Sequence, residues 1–340
     1  MKKIGILTID SMNYGNRLQN YAVQVICKRM GYRPSNFRNK SIEKKDIFRE
    51  MKCLIRDIFK KDKYYNYRQF NKRLIYNNDY VNCDTVSVRN NGYDAIIVGS
   101  DQIWNITFDF INCNHFMPIN HLKKISFSAS FGIESIPFDC EISKSLRSYK
   151  AISVRENAGA KIVEEFTGRK AIVLVDPTML LTKEEWRKIE KKPNKAKEGY
   201  ILTYFLSPKC EQAVKKLDEI KGERHVYELL DPLDKVAGKA GPAEFLWLFD
   251  HADIILTDSF HACVFSFLFG KPFIVYDRNW NEGNMNSRLD TLLSKFSLER
   301  KYANSGRAND IWEHDYDEGY KQLEVEREKA MNFLRKALED

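Results

Sequence analysis

The segment Ala252–Tyr276, ADIILTDSFHACVFSFLFGKPFIVY, leaves this chain few folds to choose from. It starts with a short apolar run, Ile254-Ile255-Leu256, which reads as a buried strand. Thr257, Asp258 and Ser259 follow at once, then Phe260, His261 and a helix-length apolar stretch from Ala262 to Phe269. Gly270 and Pro272 stop that helix, and Phe273 to Tyr276 reads as a second buried strand. Such a βαβ unit belongs to a parallel sheet covered by helices on both faces. The hydroxyls and His261 then fall at the carboxyl end of a strand and the amino end of a helix. Open α/β sheets bind ligands at that edge, and a helix amino end favours an anion. A lone histidine usually reads as a packed core residue, but this position favours a functional one.

The same order recurs along the chain. Ile4 to Ile9 reads as a strand, Asp10 to Asn16 as a loop, and Arg17 to Met30 as an amphipathic helix. Asn16 is the expected N-cap, and Gly15 lets the backbone turn or approach a ligand. Asn13, Gly15 and Asn16 thus form a second candidate site, although the spacing is neither a dinucleotide fingerprint nor a P-loop. Tyr93 to Val98 is a strand that runs into Gly99-Ser100-Asp101-Gln102-Ile103-Trp104-Asn105. Ser100, Asp101 and Trp104 suit a sugar, whose CH face stacks on a ring while its hydroxyls hydrogen-bond. The other reading of Trp104 is a ring buried under the loop. Lys124–Ala129, Ala151–Val154 and Ala171–Val175 are further strands, followed by Ser130-Phe131-Gly132, Arg155-Glu156 and Asp176-Pro177-Thr178.

At 340 residues the chain predicts two domains. The pattern predicts a Rossmann-like domain over 1–182, with a basic helical insert at about 39–73, then a linker region over 183–199. A second Rossmann-like domain follows over 200–305, with a helical tail over 306–340. The net charge of +8 fits nucleic acid, an anionic membrane or anionic substrates, but no nucleic-acid-binding motif accompanies it. The basic insert reads either as a solvated face on its own domain or as a segment lying on an anionic membrane. Seven scattered cysteines, without a CxxC pair, argue for a reducing compartment rather than a disulfide framework or zinc site. No apolar run approaches the roughly 20 residues that span a bilayer. The expected location is the cytoplasm, with the insert able to bring the chain to the inner face of the membrane.

Taken in order, NYGNRLQNYA, YDAIIVGSDQIWN, SFSASFG, ISVRE, VDPTMLL, ADIILTDSFHACVFSFLFGKPFIVY and MNSRLDTLL resemble the polysaccharide pyruvyl transferase family. The resemblance runs from Ile4 to Leu293. It implies an α/β fold of two Rossmann-like domains facing a cleft, similar to the two-domain (GT-B-type) glycosyltransferases. It also implies a reaction. The enolpyruvyl group of phosphoenolpyruvate passes to a sugar of a cell-surface polysaccharide precursor, giving a pyruvate ketal and phosphate. In that family an Arg after a strand of the first half, and an Arg-apolar-His triplet in the second, bind or act on the donor. Arg155 matches the first and His261 the triplet's His. Ser259 stands where the triplet's Arg would be, with Arg288, Lys271 and Arg278 near enough to replace it.

A donor with a phosphate and a carboxylate needs cations and N–H groups. Arg155 and Arg288, with Lys271 and the helix amino end at Ser259, are the expected binding groups. His261 is the expected general acid for protonating the enol carbon. Asp101 or Glu156 would take the proton of the acceptor hydroxyl, and the sequence leaves both open. No cofactor or metal is expected, since phosphoenolpyruvate is a substrate. The expected partners are that donor and a sugar or lipid-linked glycan acceptor, without nucleic acid. Two other readings stand beside this one. A nucleotide-sugar-dependent glycosyltransferase of the same architecture would have only Glu282 as its ribose carboxylate. A non-catalytic glycan-binding relative would agree with the loss of the triplet's Arg.

Overall fold

The computed structural model describes residues 1–37, 62–77, 92–118, 122–278, 286–305 and 311–339. The chain divides into two compact units. The first draws on residues 1–54, 72–180 and 324–340, the second on 55–71 and 181–323.

The first unit is built on six parallel strands: β1 (Lys3–Leu7), β2 (Arg33–Asn36), β3 (Ala95–Val98), β4 (Lys124–Ala129), β5 (Ala151–Val154) and β6 (Ile172–Val173). Their order is β2-β1-β3-β4-β5-β6. Ile6 pairs with Ile97, and Ile97 with Ile125, so a row of buried isoleucines crosses the centre of the sheet. The order changes direction between β1 and β3, and the crevice at such a switch point is where doubly wound sheets bind ligands. The loops after both strands lead to it.

Helix α1 (Tyr14–Arg29) starts three residues before the expected Arg17. Its N-cap is Asn13, whose Oδ1 accepts the N–H groups of Gly15 (2.8 Å) and Asn16 (3.4 Å). Gly15 is therefore helical, not a turn residue, and Asn16 lies in the first turn instead of capping it. Glycine costs a helix interior about 1 kcal/mol, so the pattern placed the start beyond it. The next described helix, α2 (Lys63–Asn71), belongs to the second unit. In the first unit, α3 (Cys140–Arg147) and α4 (Asn157–Thr167) cover the sheet beside β5. The expected tail contains α10 (Asp317–Glu339), numbered after five helices of the second unit. Its end joins the first unit through a Phe127–Phe333 ring pair and a Lys123 Nζ bond to Leu338 O.

The second unit has four parallel strands, β7 (Tyr200–Tyr204), β8 (His225–Glu228), β9 (Ile254–Thr257) and β10 (Phe273–Val275), in the order β10-β9-β7-β8. The order here reverses between β7 and β9. Helices α5 (Lys183–Arg187), α6 (Glu211–Lys221), α7 (Pro242–Asp250), α8 (Phe260–Leu268) and α9 (Ser287–Lys295) complete it. The segment Ala252–Tyr276 folds as β9-α8-β10, with Gly270 at φ +68° just past α8. The start of the expected linker is helical, because Thr182 and Glu185 form a capping box at α5.

Helix α2 comes from the basic segment. Its Tyr67 and Phe70 are buried, and Asn66 Nδ2 donates to Lys239 O at 2.8 Å. A Cβ on Gly241 would lie 2.7 Å from that of Asn66, so only glycine admits this contact. The rest of the membrane-contact expectation, residues 39–61, lies outside the described residues. Among the described residues, no helix is long and apolar enough to cross a membrane. Cys27, Cys140, Cys210 and Cys263 are free, whereas Cys113 is disulfide-bonded. That bond departs from the expected wholly reduced set, since proximity in space leaves no trace in cysteine spacing.

Candidate active site

Three loops of the first unit bring their polar residues together at the carboxyl edge of its sheet. Arg155 follows β5, Asp101 follows β3, and Asp176 follows β6 by three residues. Arg155 Nη1 lies 2.7 Å from Asp176 Oδ2, and Nη2 lies 3.2 Å from Asp101 Oδ1. Asp101 Oδ1 also accepts the N–H of Gln102 at 2.9 Å, and Oδ2 accepts from Asn16 Nδ2. Ser11 Oγ donates to Asn16 Oδ1, which fixes the amide's orientation. Asp101 has φ +70°, a left-handed conformation that Asp tolerates better than most residues. The sequence candidates Asn16, Asp101 and Arg155 thus meet at the switch point between β1 and β3.

The charges of this cluster face one another. Burial alone would lower the Arg155 pKa, but Asp101, Asp176 and Glu156 outweigh it and raise the value above that of an ordinary arginine. The guanidinium already has two carboxylates in hydrogen-bond reach. Arg155 thus holds Asp101 and Asp176 in place at this edge.

The remaining candidates of this unit sort themselves by burial. Ser100 is fully buried, and its Oγ donates to Ser128 O (2.9 Å) and Asp176 Oδ2 (3.1 Å). Its N–H donates to Gln19 Oε1, and Gln19 Nε2 to Thr8 Oγ1. Ser100 is thus a tie between strand ends, not a sugar contact. Trp104 is 0% exposed, packs on Phe116, Phe131 and Tyr149, and donates Nε1–H to His115 O. The buried reading of Trp104 holds, and the sugar platform is withdrawn. Glu156 is also 0% exposed, and its Oε1 accepts the N–H groups of Phe131 (2.9 Å) and Gly132 (3.2 Å). It clasps the loop after β4. Of the two candidate bases, Asp101 is the one with side-chain exposure, at 7%, and the one at the switch point. Asn13 and Gly15 serve the start of α1. Asp176 and Gln19 were not singled out from the sequence. Asp176 follows an apolar run as directly as Asp101 does, so the same rule would have found it.

The second unit gathers its candidates on the corresponding edge. Ser259 is the N-cap of α8, without a side-chain cap bond, and His261 is in the first turn. The helix's positive end and His261 therefore occupy one spot. Asp258, just before, ties that spot to the strand end at β7. Its carboxylate accepts Leu206 N (2.7 Å), Ser207 N (2.9 Å) and Ser207 Oγ (2.6 Å). Arg278, three residues past β10, donates Nη2 to Asp258 O at 3.2 Å. Arg288 is buried in the first turn of α9.

Lys271 does not join them. It precedes β10, at the amino edge of the sheet, where Asp250 and Asp253 are its charged neighbours. Burial lowers its pKa, against the pull of those carboxylates. Sequence distance from Ser259 is short, but the strand separates the two edges. At this opposite edge Glu190, Asp250 and His251 lie with ligand atoms within 4.8 Å of one another. Both Asp250 oxygens there are held by Arg187, at 2.7 and 2.8 Å.

Comparison with solved structures shows the same two-domain Rossmann-like architecture. The UDP-GlcNAc 2-epimerase of Neisseria meningitidis, solved with UDP-GlcNAc, aligns over 98% of this chain and 94% of its own, with a TM-score of 0.52 and 11% identity. A Listeria monocytogenes protein described as a UDP-N-acetylglucosamine 2-epimerase aligns over 96% and 95%, with 0.50 and 10%. LpCGTa, solved with UDP, aligns over 99% and 98%, with 0.50 and 9%. At such identities the likeness concerns the fold, which is that of the two-domain (GT-B-type) glycosyltransferases. No curated protein matches the sequence. The family model for polysaccharide pyruvyl transferase matches residues 13–279, spanning both candidate edges, and the chain belongs to that family.

Proposed function

We propose that this protein transfers the enolpyruvyl skeleton of phosphoenolpyruvate to two hydroxyls of a sugar in a cell-surface polysaccharide precursor. The products are a cyclic pyruvate ketal and inorganic phosphate. Family membership supports the reaction class. The observation that carries the reading is His261 in the first turn of α8, a protonatable imidazole at the positive end of a helix. His261 gives its proton to the methylene carbon of the donor, leaving a cationic carbon between carboxylate and phosphate ester. One acceptor hydroxyl adds there and loses its proton. Phosphate then leaves with the C–O electron pair, and the second hydroxyl adds to the carbon and closes the ketal, its proton going to the departing phosphate. Within the first unit, Asp101, paired with Arg155 and hydrogen-bonded by Asn16, is the candidate base for an acceptor hydroxyl. The donor's anionic groups are assigned to the second unit, at the amino end of α8, with Arg288 as a further cation.

The test is phosphate release from phosphoenolpyruvate, with product mass, against a panel of sugar and lipid-linked acceptors. Release that depends on an acceptor, with the pyruvate mass added, supports the reading. A nucleotide-sugar glycosyltransferase would instead release a nucleotide diphosphate. A binding relative would hold glycan and turn over neither donor.

A further inference from the structure

Glu156 accepts two N–H groups of the loop after β4, and that loop bonds in turn to Asp101. We infer that Glu156 is a positioning residue for Asp101, setting its carboxylate through the loop over 130–132 without touching a substrate itself. The inference rests on the reading of Asp101 as the base for an acceptor hydroxyl.

Three observations carry it. The first is the chain of bonds. Glu156 Oε1 accepts the N–H groups of Phe131 (2.9 Å) and Gly132 (3.2 Å). Just before them, the N–H of Ser130 donates to Asp101 O at 2.9 Å, and Asp101 forms a parallel bridge with Ala129. Ser130 O accepts the N–H of Trp104 at 3.1 Å, so the loop holds the chain at Asp101 and again three residues on. The second is conformation. Asp101 has φ +70°, in the left-handed region, and a residue other than glycine stays there only when its surroundings dictate it. The third is space. A Cβ on Gly132 would lie 1.9 Å from Gln102 Nε2 and 3.1 Å from Asn105 Nδ2, so the loop packs directly on the segment that follows Asp101. Ser130, Phe131 and Glu156 are all 0% exposed, and no neighbouring water can absorb a shift of the loop. Consecutive residues after β5 thus fix Asp101 in two ways. Arg155 holds its carboxylate at 3.2 Å, and Glu156 holds its main chain through the loop.

The experiment is acceptor-dependent phosphate release from phosphoenolpyruvate by the full chain, with thermal unfolding of each variant. The variants are Glu156→Gln, Glu156→Asp and Gly132→Ala, each alone and combined with Asp101→Asn. Gln keeps the reach to both N–H groups but loses the charge that Arg155 feels, whereas Asp keeps the charge and is one methylene shorter. Glu156→Asp is expected to lower kcat by about 100-fold, the cost of displacing a reacting group by about 1 Å. Glu156→Gln is expected to retain clearly more turnover. Gly132→Ala pushes the same loop from its other side and should lose turnover as Glu156→Asp does, so it decides the matter where the Asp variant does not fold. In the Asp101→Asn background these losses are expected to vanish, because Asp101 is what they act through. If Glu156→Gln loses as much as Glu156→Asp, charge and not the clasp is at work, and the inference is overturned. Losses that persist undiminished beside Asp101→Asn, or wild-type kcat in both loop variants, overturn it as well. If Asp101→Asn alone turns over like wild type, the base assignment fails and takes the inference with it. If wild type releases no phosphate with any acceptor, the pyruvyl-transfer reading itself has failed.

Discussion

Arg155 and Asp176 form a 2.7 Å ion pair in which the side chains are 1% and 0% exposed. Their residues lie 21 apart in sequence, on the ends of adjacent strands β5 and β6. A pair so far from water stabilises only while both members are present. Removing one leaves an uncompensated buried charge, at a cost of about 3–5 kcal/mol. Arg155→Met is therefore expected to lower the free energy of unfolding, read from a urea titration, by an amount in that range. An unfolding curve that overlays wild type would remove the structural role given to Arg155.

Trp104 fills the core between Phe116, Phe131 and Tyr149. Trp104→Ala should cost about 3–5 kcal/mol in stability. Trp104→Phe, which keeps most of the packing, should leave the KM for the sugar acceptor unchanged. A rise in that KM without loss of stability would restore the discarded sugar-platform reading.

His261→Gln and His261→Ala are expected to lose about 10²- to 10⁴-fold in turnover while folding normally. Gln keeps a hydrogen bond but delivers no proton, so it isolates acid catalysis from donor binding. Steady-state phosphate release and far-ultraviolet circular dichroism decide the matter. Wild-type turnover by the Gln variant would mean that His261 orients the donor only.

Glu190 gives a pH dependence with a definite sign. Burial, with the charge of Asp250 and against that of Arg187, pushes its carboxyl up from 4.5 to about 7. Between those two values the folded protein keeps a proton that the unfolded chain has released. Stability from this group is therefore present below pH 4.5, falls as pH rises through the window, and is lost above about 7. Glu190→Gln should flatten the dependence of the urea midpoint over that window. A slope as steep as that of wild type would assign it to another group.

The strands and the site edge were legible in the sequence because parallel, doubly covered strands must be short apolar runs, and polar residues must follow where they end. That rule located Asp101, Arg155 and His261. It could not say which of them face one another. The partners of Arg155 are 54 residues before it and 21 after it, joined only by sheet order. Lys271 shows the opposite failure: close to Ser259 in sequence, it lies at the other end of the strand. Trp104 and Glu156 failed for a third reason. A residue beside a ligand and one packed under a loop have the same neighbours in sequence, and only burial separates them.

The missing side-chain cap at Ser259 has an evolutionary consequence. Arg155 is wired into a charged network, so a lineage that lost it would need compensating changes at Asp101 and Asp176 before its protein folded again. Ser259 caps nothing with its side chain. Ser259 is buried, so replacement there is limited by space and not by a lost cap bond. Position 259 is thus the place at this helix end where a side chain can change without first removing a cap.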